Sequence, residues 1–184
     1  MEGLNRIIKE YKDLINNPLG NCGVTVGLID ENNYRRWIVT IIGPKDTSYS
    51  GGLFYLSVTF PENYPDSPPE VCFLTPIYHL NVNPYAPKSP GSEPLGHVSI
   101  STLNKWKPYY KMREILVNIF MLLYFGNPDS PYGADRADEF RNNRAAFEKK
   151  VKYFTKKYAN PRVCFRSQLS NKYWDFSILK NNFL

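Results

Sequence analysis

The chain has 184 residues, of which 42% are hydrophobic, and this is enough to bury the core of one domain. The net charge is +6, with nine lysines and arginines against one acidic residue from Lys149 onward, so that the basic character is concentrated towards the C-terminus. Lysines scattered along a helix are more often a solvated face than a nucleic-acid site, and no nucleic-acid motif accompanies them, so nucleic acid is not a favoured partner.

The first predicted element is an amphipathic helix. Apolar residues recur at helical spacing from Leu4 to Ile15, with charged residues between them, and the pattern ends before Asn17-Pro18. One face of this helix is expected to pack, and the basic face stays available to partners.

Four strands are predicted next, at residues 24–29, 36–42, 53–60 and 71–75. Turn residues, Gly43-Pro44-Lys45-Asp46 and Ser50-Gly51-Gly52, join the second strand to the third. Sequential strands with short connections favour an antiparallel meander. The proline-rich segment 82–98 is predicted to be an irregular loop of functional interest.

Helices are predicted to follow the strands. Residues 112–125 are apolar almost all round, which predicts a central helix buried against the sheet, and two further helices are predicted at 134–141 and 144–158. The order of elements is that of an α+β fold. Residues 160–184 are too apolar for a plain disordered tail and are expected either to dock on the domain or to bind a partner.

Cysteine usage and hydropathy exclude other classes. Cys22, Cys72 and Cys164 lie far apart, form no CxxC pair and accompany no histidine cluster, so we expect no metal site and no redox pair. The sequence has no signal-peptide pattern, and the apolar stretch 115–125 is too short to span a bilayer. We therefore expect a cytoplasmic or nuclear protein without a membrane partner.

Several ordered motifs resemble one enzyme family. They are "RIIKEYKDLINNP", "YPDSPP", "YHLN", "WKP" and "NPDSPYGADRADEFRNNRAAFEKKVKYFTKKYA", and the stretch in which they occur runs from about Leu4 to Tyr158. In this order they closely resemble the core of ubiquitin-conjugating enzymes, the E2 family. The resemblance implies the UBC fold, with a UBC core domain at residues 1–159 and a C-terminal extension at 160–184.

The resemblance also implies a chemistry. In this family a cysteine accepts the C-terminus of ubiquitin, or of a ubiquitin-like protein, from an E1 activating enzyme as a thioester, and passes it to a lysine of a substrate protein, often with an E3 ligase. ATP is used by E1, so no metal or small cofactor is implied. The cysteine position corresponds to Ser99, within "GHVSISTLNKWKP".

Four further site residues follow from the resemblance. Asn81 corresponds to the asparagine that stabilises the oxyanion when an amine attacks, and His79 to the histidine that braces the same loop. Ser130, with Asp129 beside it, corresponds to the position that orients the incoming lysine. From the residues alone, a turn asparagine is the favoured interpretation of Asn81, and "NPDSP" is a turn that caps the next helix.

The departures from the family are Leu80, which stands in place of a proline, and a longer loop before Ser99.

The partner surfaces are implied more weakly. Those for the activating enzyme are Arg6, Lys9 and Lys12 on the first helix, and those for the ligase are Asp66 and the segment Lys107, Pro108 and Tyr109.

Two interpretations of Ser99 stay open. In the first, which we favour, the chain is an active conjugating enzyme whose cysteine has been replaced by serine, a change that preserves volume and abolishes thiolate chemistry. In the second, it is a naturally non-catalytic E2-variant that acts as a binding scaffold in the ubiquitin pathway. A serine hydrolase is disfavoured, because the pattern around Ser99 is G-x-x-S-x-S and not the G-x-S-x-G elbow.

Overall fold

The computed structural model describes residues 2–84 and 94–160. The helices are α1 (Glu2–Asn16), α2 (Ser101–Asn104), α3 (Met112–Phe125), α4 (Ala134–Asn142) and α5 (Arg144–Tyr158), and the strands are β1 (Val24–Leu28), β2 (Arg36–Ile42), β3 (Leu53–Thr59) and β4 (Glu70–Phe73). A single 3-10 turn, Gly20–Cys22, precedes β1. The order of elements confirms the α+β class and its helix–sheet–helix arrangement.

The four strands form one antiparallel sheet in the order β1-β2-β3-β4, which confirms the predicted meander. Val39 of β2 lies opposite Val26 of β1 and Leu56 of β3, so the inward positions of neighbouring strands stack in register. Burial alternates along β2 and β3, as expected for strands with one covered face. The inward residues of the sheet and those of α3 belong to one buried cluster.

Helix α3 is only partly as the sequence predicted. Its bounds are those expected, and Met112, Ile115 and Leu116 are fully buried. The predicted burial against the sheet is confirmed by these residues, whereas in the last two turns Met121 and Tyr124 are exposed and Phe125 keeps 67% of its surface in solvent. An all-round apolar pattern records composition and does not show how much of the helix the sheet and its neighbours can cover.

Strand β4 ends earlier than predicted, at Phe73 and not at residue 75. The reason is that the Thr75 hydroxyl accepts the hydrogen bond of the Tyr55 amide, at 2.9 Å, and so replaces a backbone partner at the end of the ladder. The other predicted bounds are either those observed or differ from them by one or two residues, and α2 was not predicted. Residues 161–184 lie outside the described part of the chain, so the division between core and extension stays a prediction.

The segment 82–98 is more ordered at its two described ends than the prediction of an irregular loop allowed. Residues 96–98 run beside β4, with the Phe73 amide donating to the Gly96 carbonyl at 2.8 Å and the Val98 amide to the Val71 carbonyl at 3.0 Å. Gly96 has φ +81°, and a Cβ there would lie 2.1 Å from the Phe73 carbonyl oxygen, so only glycine permits this approach. This pairing fixes the chain just before Ser99.

Candidate functional site around Ser99

Ser99 is held in place by backbone pairing on two sides. The residue before it, Val98, is bonded to β4 and forms an antiparallel bridge with Val82. The Ser99 amide itself donates to the Asn81 carbonyl at 2.9 Å. The Ser99 residue retains 8% of its surface in solvent. The sheet edge and the 79–83 segment therefore set the position of Ser99.

Two side chains contact the Ser99 hydroxyl. The Asn104 side-chain amide donates to Ser99 Oγ at 2.9 Å, and Ser130 Oγ lies 3.1 Å from the same atom. Asn104 reaches Ser99 because α2 is one turn long, with the Asn104 amide bonded to the Ile100 carbonyl at 2.9 Å. The structure thus brings together Ser99 and Ser130, which the sequence predicted to share a site, and adds Asn104, which it did not.

The Asn81 side chain connects the Ser99 segment to the turn that carries Ser130. Its Oδ1 accepts from the Asn127 amide at 2.7 Å, and its Nδ2 donates to the carbonyls of Asn127 at 2.7 Å and of Ser130 at 2.8 Å. The residue is 0% exposed. Both hydrogens of its amide are therefore occupied, and a direct bond to an oxyanion requires one of these contacts to open.

His79 lies buried behind this loop in a defined tautomer. Its Nδ1 accepts from the Asn81 amide at 2.9 Å, so Nε2 carries the hydrogen that is donated to the Leu122 carbonyl at 3.0 Å. Burial lowers the pKa of His79 to about 4, and the nearby positive charge of Arg136 acts in the same direction. The ring is thus neutral at physiological pH, with both nitrogens bonded to the loop and to α3.

Leu80, which stands where relatives are expected to carry proline, packs against the end of α3. It is 1% exposed. A Cβ on Gly126 would lie 2.7 Å from Leu80 Cδ2, and Gly126 has φ +62°. The Leu80 carbonyl accepts from the Tyr132 amide at 2.6 Å. Leucine is therefore accommodated here by a glycine and by a backbone bond to the 127–132 turn.

The two remaining polar residues near the site point to other partners. His97 Nδ1 lies 2.6 Å from the Tyr132 hydroxyl, so the histidine two residues before Ser99 is bonded to that tyrosine. Asp129 is exposed, its amide donates to Asn127 Oδ1 at 3.0 Å, and its carboxylate lies 3.9 Å from Arg141. Asp129 is near Ser130 in the chain, but its side chain is in solvent.

The predicted partner residues lie in two neighbouring groups that Arg6 connects. Arg6 forms an ion pair with Glu10 at 2.7 Å, and its other nitrogens donate to the carbonyls of Pro108 and Tyr110. The Trp106 indole donates to the Pro65 carbonyl at 2.7 Å, which joins the 61–67 loop to the same segment. Arg6 is therefore largely engaged within the chain.

The other predicted partner residues are available at the surface. Lys9 and Lys12 on α1, Asp66, Lys107 and Pro108 are exposed, and Tyr109 is the most exposed large apolar residue described, at 71%. Glu10, which the sequence analysis did not single out, accepts from Arg6, from the Tyr64 hydroxyl and from the Met112 amide. The structure thus brings the two predicted partner groups to one end of the domain.

Residues 2–84 and 94–160 contain neither a cluster of metal-binding side chains nor a helix that could span a membrane. No group of three or more histidine, cysteine, aspartate or glutamate side chains there could hold a metal ion. No described helix has the length and apolarity needed to cross a bilayer. Among the described cysteines, Cys22 and Cys72 are free thiols, and burial raises the pKa of Cys72 to about 12.

Comparison with known proteins adds an independent line of evidence. Residues 6–155 match the family described as "Ubiquitin-conjugating enzyme". "Ubiquitin-conjugating enzyme E2 13" of Arabidopsis thaliana is 41% identical over 149 residues, which cover 78% of this chain and 87% of that protein. "Ubiquitin-conjugating enzyme E2 15" of Schizosaccharomyces pombe is 36% identical over 150 residues, with the same shares of both chains covered.

Proposed function

The chain belongs to the ubiquitin-conjugating enzyme family, and on that premise we propose that Ser99 stands at the position of the family's nucleophilic cysteine. In its cysteine form, the protein would accept ubiquitin or a ubiquitin-like protein from E1 as a thioester and transfer it to a substrate lysine. The observation that carries this proposal is the 3.1 Å contact between Ser99 Oγ and Ser130 Oγ. It puts the proposed acceptor atom beside the residue proposed to orient the lysine.

The supporting roles follow from the same geometry. Asn81 holds the turn that carries Ser130 through its three side-chain bonds, and the two ring bonds of His79 tie the Asn81 backbone to α3. We propose that Asn81 acts first by this positioning and contributes to oxyanion stabilisation only if its amide is released during transfer. Asp129 is proposed to attract the lysine from solvent by its exposed charge.

Serine at position 99 changes the chemistry that the site can perform. A hydroxyl needs an adjacent base to attack at neutral pH, whereas a thiol is partly ionised and strongly nucleophilic. The two side chains that contact Ser99 Oγ in the described structure are an amide and a second hydroxyl, and neither is a base. Any modifier attached to this chain at Ser99 would be an oxyester, formed slowly and transferred slowly.

A second candidate function is a non-catalytic E2-variant scaffold. The same pair of contacts supports it, because a serine that is 8% exposed and whose hydroxyl is bonded to two neighbouring side chains is a stable structural residue. Under this alternative, the exposed surface around Lys9, Asp66 and Tyr109 would bind partners while position 99 performs no chemistry. The residue that the natural protein carries at position 99 distinguishes a replaced cysteine from a native serine.

The test of the proposed function is loading of a Ser99→Cys variant. The full chain is incubated with E1, ATP and a panel of ubiquitin-like proteins, and we expect a thiol-sensitive adduct with at least one of them. Ser101→Cys is the matched control, because residue 101 is exposed and only two positions away. Absence of any adduct on folded Ser99→Cys protein, or equal loading of the control, would contradict the proposal.

A further inference from the structure

Asn104 is the one donor to Ser99 Oγ whose direction the structure defines. A side-chain amide nitrogen can only donate, so the 2.9 Å contact is an N–H bond into the oxygen of Ser99. In the contact with Ser130, by comparison, either hydroxyl can be the donor. Within the described residues, the Asn104 side chain makes no hydrogen bond other than this one. The amide is therefore dedicated to the side chain at position 99.

We propose that the Asn104 amide stabilises the negative charge that develops on the side-chain atom of residue 99 when the attached modifier leaves. The inference rests on the proposed function, because it takes residue 99 as the attachment point. A hydrogen bond to a charged acceptor is roughly twice as strong as one to a neutral acceptor. The bond thus strengthens as the reaction proceeds, which is the condition for accelerating the chemical step.

The transfer step can be written with every atom placed. The neutral lysine amine attacks the carbonyl carbon of the modifier, so that a carbon–nitrogen bond forms and the bond from that carbon to the residue 99 atom breaks. The electron pair of the broken bond goes to the residue 99 atom, which faces Asn104 Nδ2. The surplus proton of the amine then moves to that atom, and the Ser130 hydroxyl at 3.1 Å can relay it, which restores the serine hydroxyl.

The location of Asn104 suits this role. The Ser99 backbone is fixed by its bond to Asn81 and by the pairing of Val98 with β4, while Asn104 reaches the Ser99 side chain from the end of α2. Asn104 is itself an exposed residue, so its truncation removes the donor without opening a cavity in the core. Asn118 provides a control of the same type, because it is exposed and its amide contacts Thr102 of α2 at 3.4 Å without reaching Ser99.

The experiment measures the reactivity of a cysteine at position 99 in the full chain. In a Ser99→Cys, Cys22→Ser, Cys164→Ser background, Cys72 is silent because it is buried and its pKa is about 12. The rate of alkylation by iodoacetamide is followed against pH. We expect Asn104→Ala to move the midpoint of the rate–pH curve to higher pH and to lower the alkylation rate at pH 7 by about tenfold. We expect Asn118→Ala to change neither quantity.

A second readout is single-turnover discharge of the loaded cysteine to free lysine, which we expect Asn104→Ala to slow by about tenfold. The charged and titratable residues nearest in sequence to Ser99, Asn104 and Ser130 are His97, Lys105, Asp129 and Tyr132, which is bonded to His97, and all variants share them. If Asn104→Ala is loaded with a modifier but shows neither a shifted midpoint of alkylation against pH nor a slower discharge, the proposed role of Asn104 is wrong. A shifted midpoint without loading by any modifier would instead refute the proposed function and support the effect of Asn104 on residue 99.

Discussion

Replacing Asn81 by alanine tests whether this residue acts through structure or by direct contact with the reacting group. The Asn81 side chain makes three hydrogen bonds of 2.7–2.8 Å to the backbone of the 127–130 turn, and the residue is completely buried. Each buried hydrogen bond contributes about 1 kcal/mol net, so Asn81→Ala is expected to lower the free energy of unfolding by about 3 kcal/mol. For a chain of this size that corresponds to a drop in Tm of roughly 10 °C.

Asn81→Ala is also expected to slow the transfer of the modifier from residue 99 to lysine. With the turn released, Ser130 is no longer held 3.1 Å from the residue 99 atom, and any oxyanion contact of Asn81 is also lost. In the Ser99→Cys background we expect discharge to lysine to slow by about ten- to a thousandfold. Unfolding is measured by urea titration followed by circular dichroism, and discharge by single-turnover assay of the loaded protein.

The two readouts separate the two roles. Asn63→Ala is the control, since its amide contacts Ser67 on an exposed loop and its loss is expected to change stability by less than about 0.5 kcal/mol. If Asn81→Ala slows transfer while the free energy of unfolding stays within that margin, the positioning argument is wrong and Asn81 acts by direct contact. If neither the transfer rate nor the free energy of unfolding changes, the three side-chain hydrogen bonds of Asn81 contribute nothing to the site.

Two further predictions concern the same loop. Because the pKa of His79 falls from 6.5 to about 4 on folding, its unfolded form binds the extra proton, so stability is fully present above pH 6.5 and is lost as the pH falls towards 4. This loss of stability is on the order of 3 kcal/mol. Urea titrations at pH 7.5 and 4.5 measure the fall in the free energy of unfolding between the two pH values, and we expect a smaller fall for His79→Gln than for the parent. An equal fall in both proteins would contradict the lowered pKa of His79. Gly126→Ala is expected to destabilise the fold by about 1–3 kcal/mol through its positive φ and its approach to Leu80, whereas Gly20→Ala, with no atom within 4 Å of the added Cβ, is expected to be nearly neutral; equal Tm values for the two variants would refute this reasoning.

Much of the fold was predictable because its signals are local. The alternation of apolar residues predicted β2 with its observed bounds, and helical spacing did the same for α3 and α5. The meander followed from short turns between sequential strands. The errors arose where a non-local contact ended or extended an element, as when the Thr75 hydroxyl takes the Tyr55 amide at the end of β4, or when residues 96–98 pair with β4 across a proline-rich segment.

The candidate site likewise contains residues that local sequence motifs predict and residues that only the tertiary contacts reveal. Ser99, Asn81, His79 and Ser130 were predicted as site residues from the resemblance of ordered motifs, since each motif carries its residue at a recognisable place in the chain. Asn104 and Tyr132 were not, because an asparagine in a short helix and a tyrosine after a turn have no distinctive local pattern.

The sequence by itself determined which elements form and which family chemistry to expect, because periodicity and motif order are properties of neighbouring residues. Only the tertiary structure decided the contacts of Ser99. Ser130 lies 31 positions from Ser99 in the sequence, and Asn127 lies 46 positions from Asn81, to which it is bonded. Such contacts depend on how the sheet, α3 and the 127–132 turn pack together, and a hydrogen bond exists only when that packing brings donor and acceptor within about 3 Å.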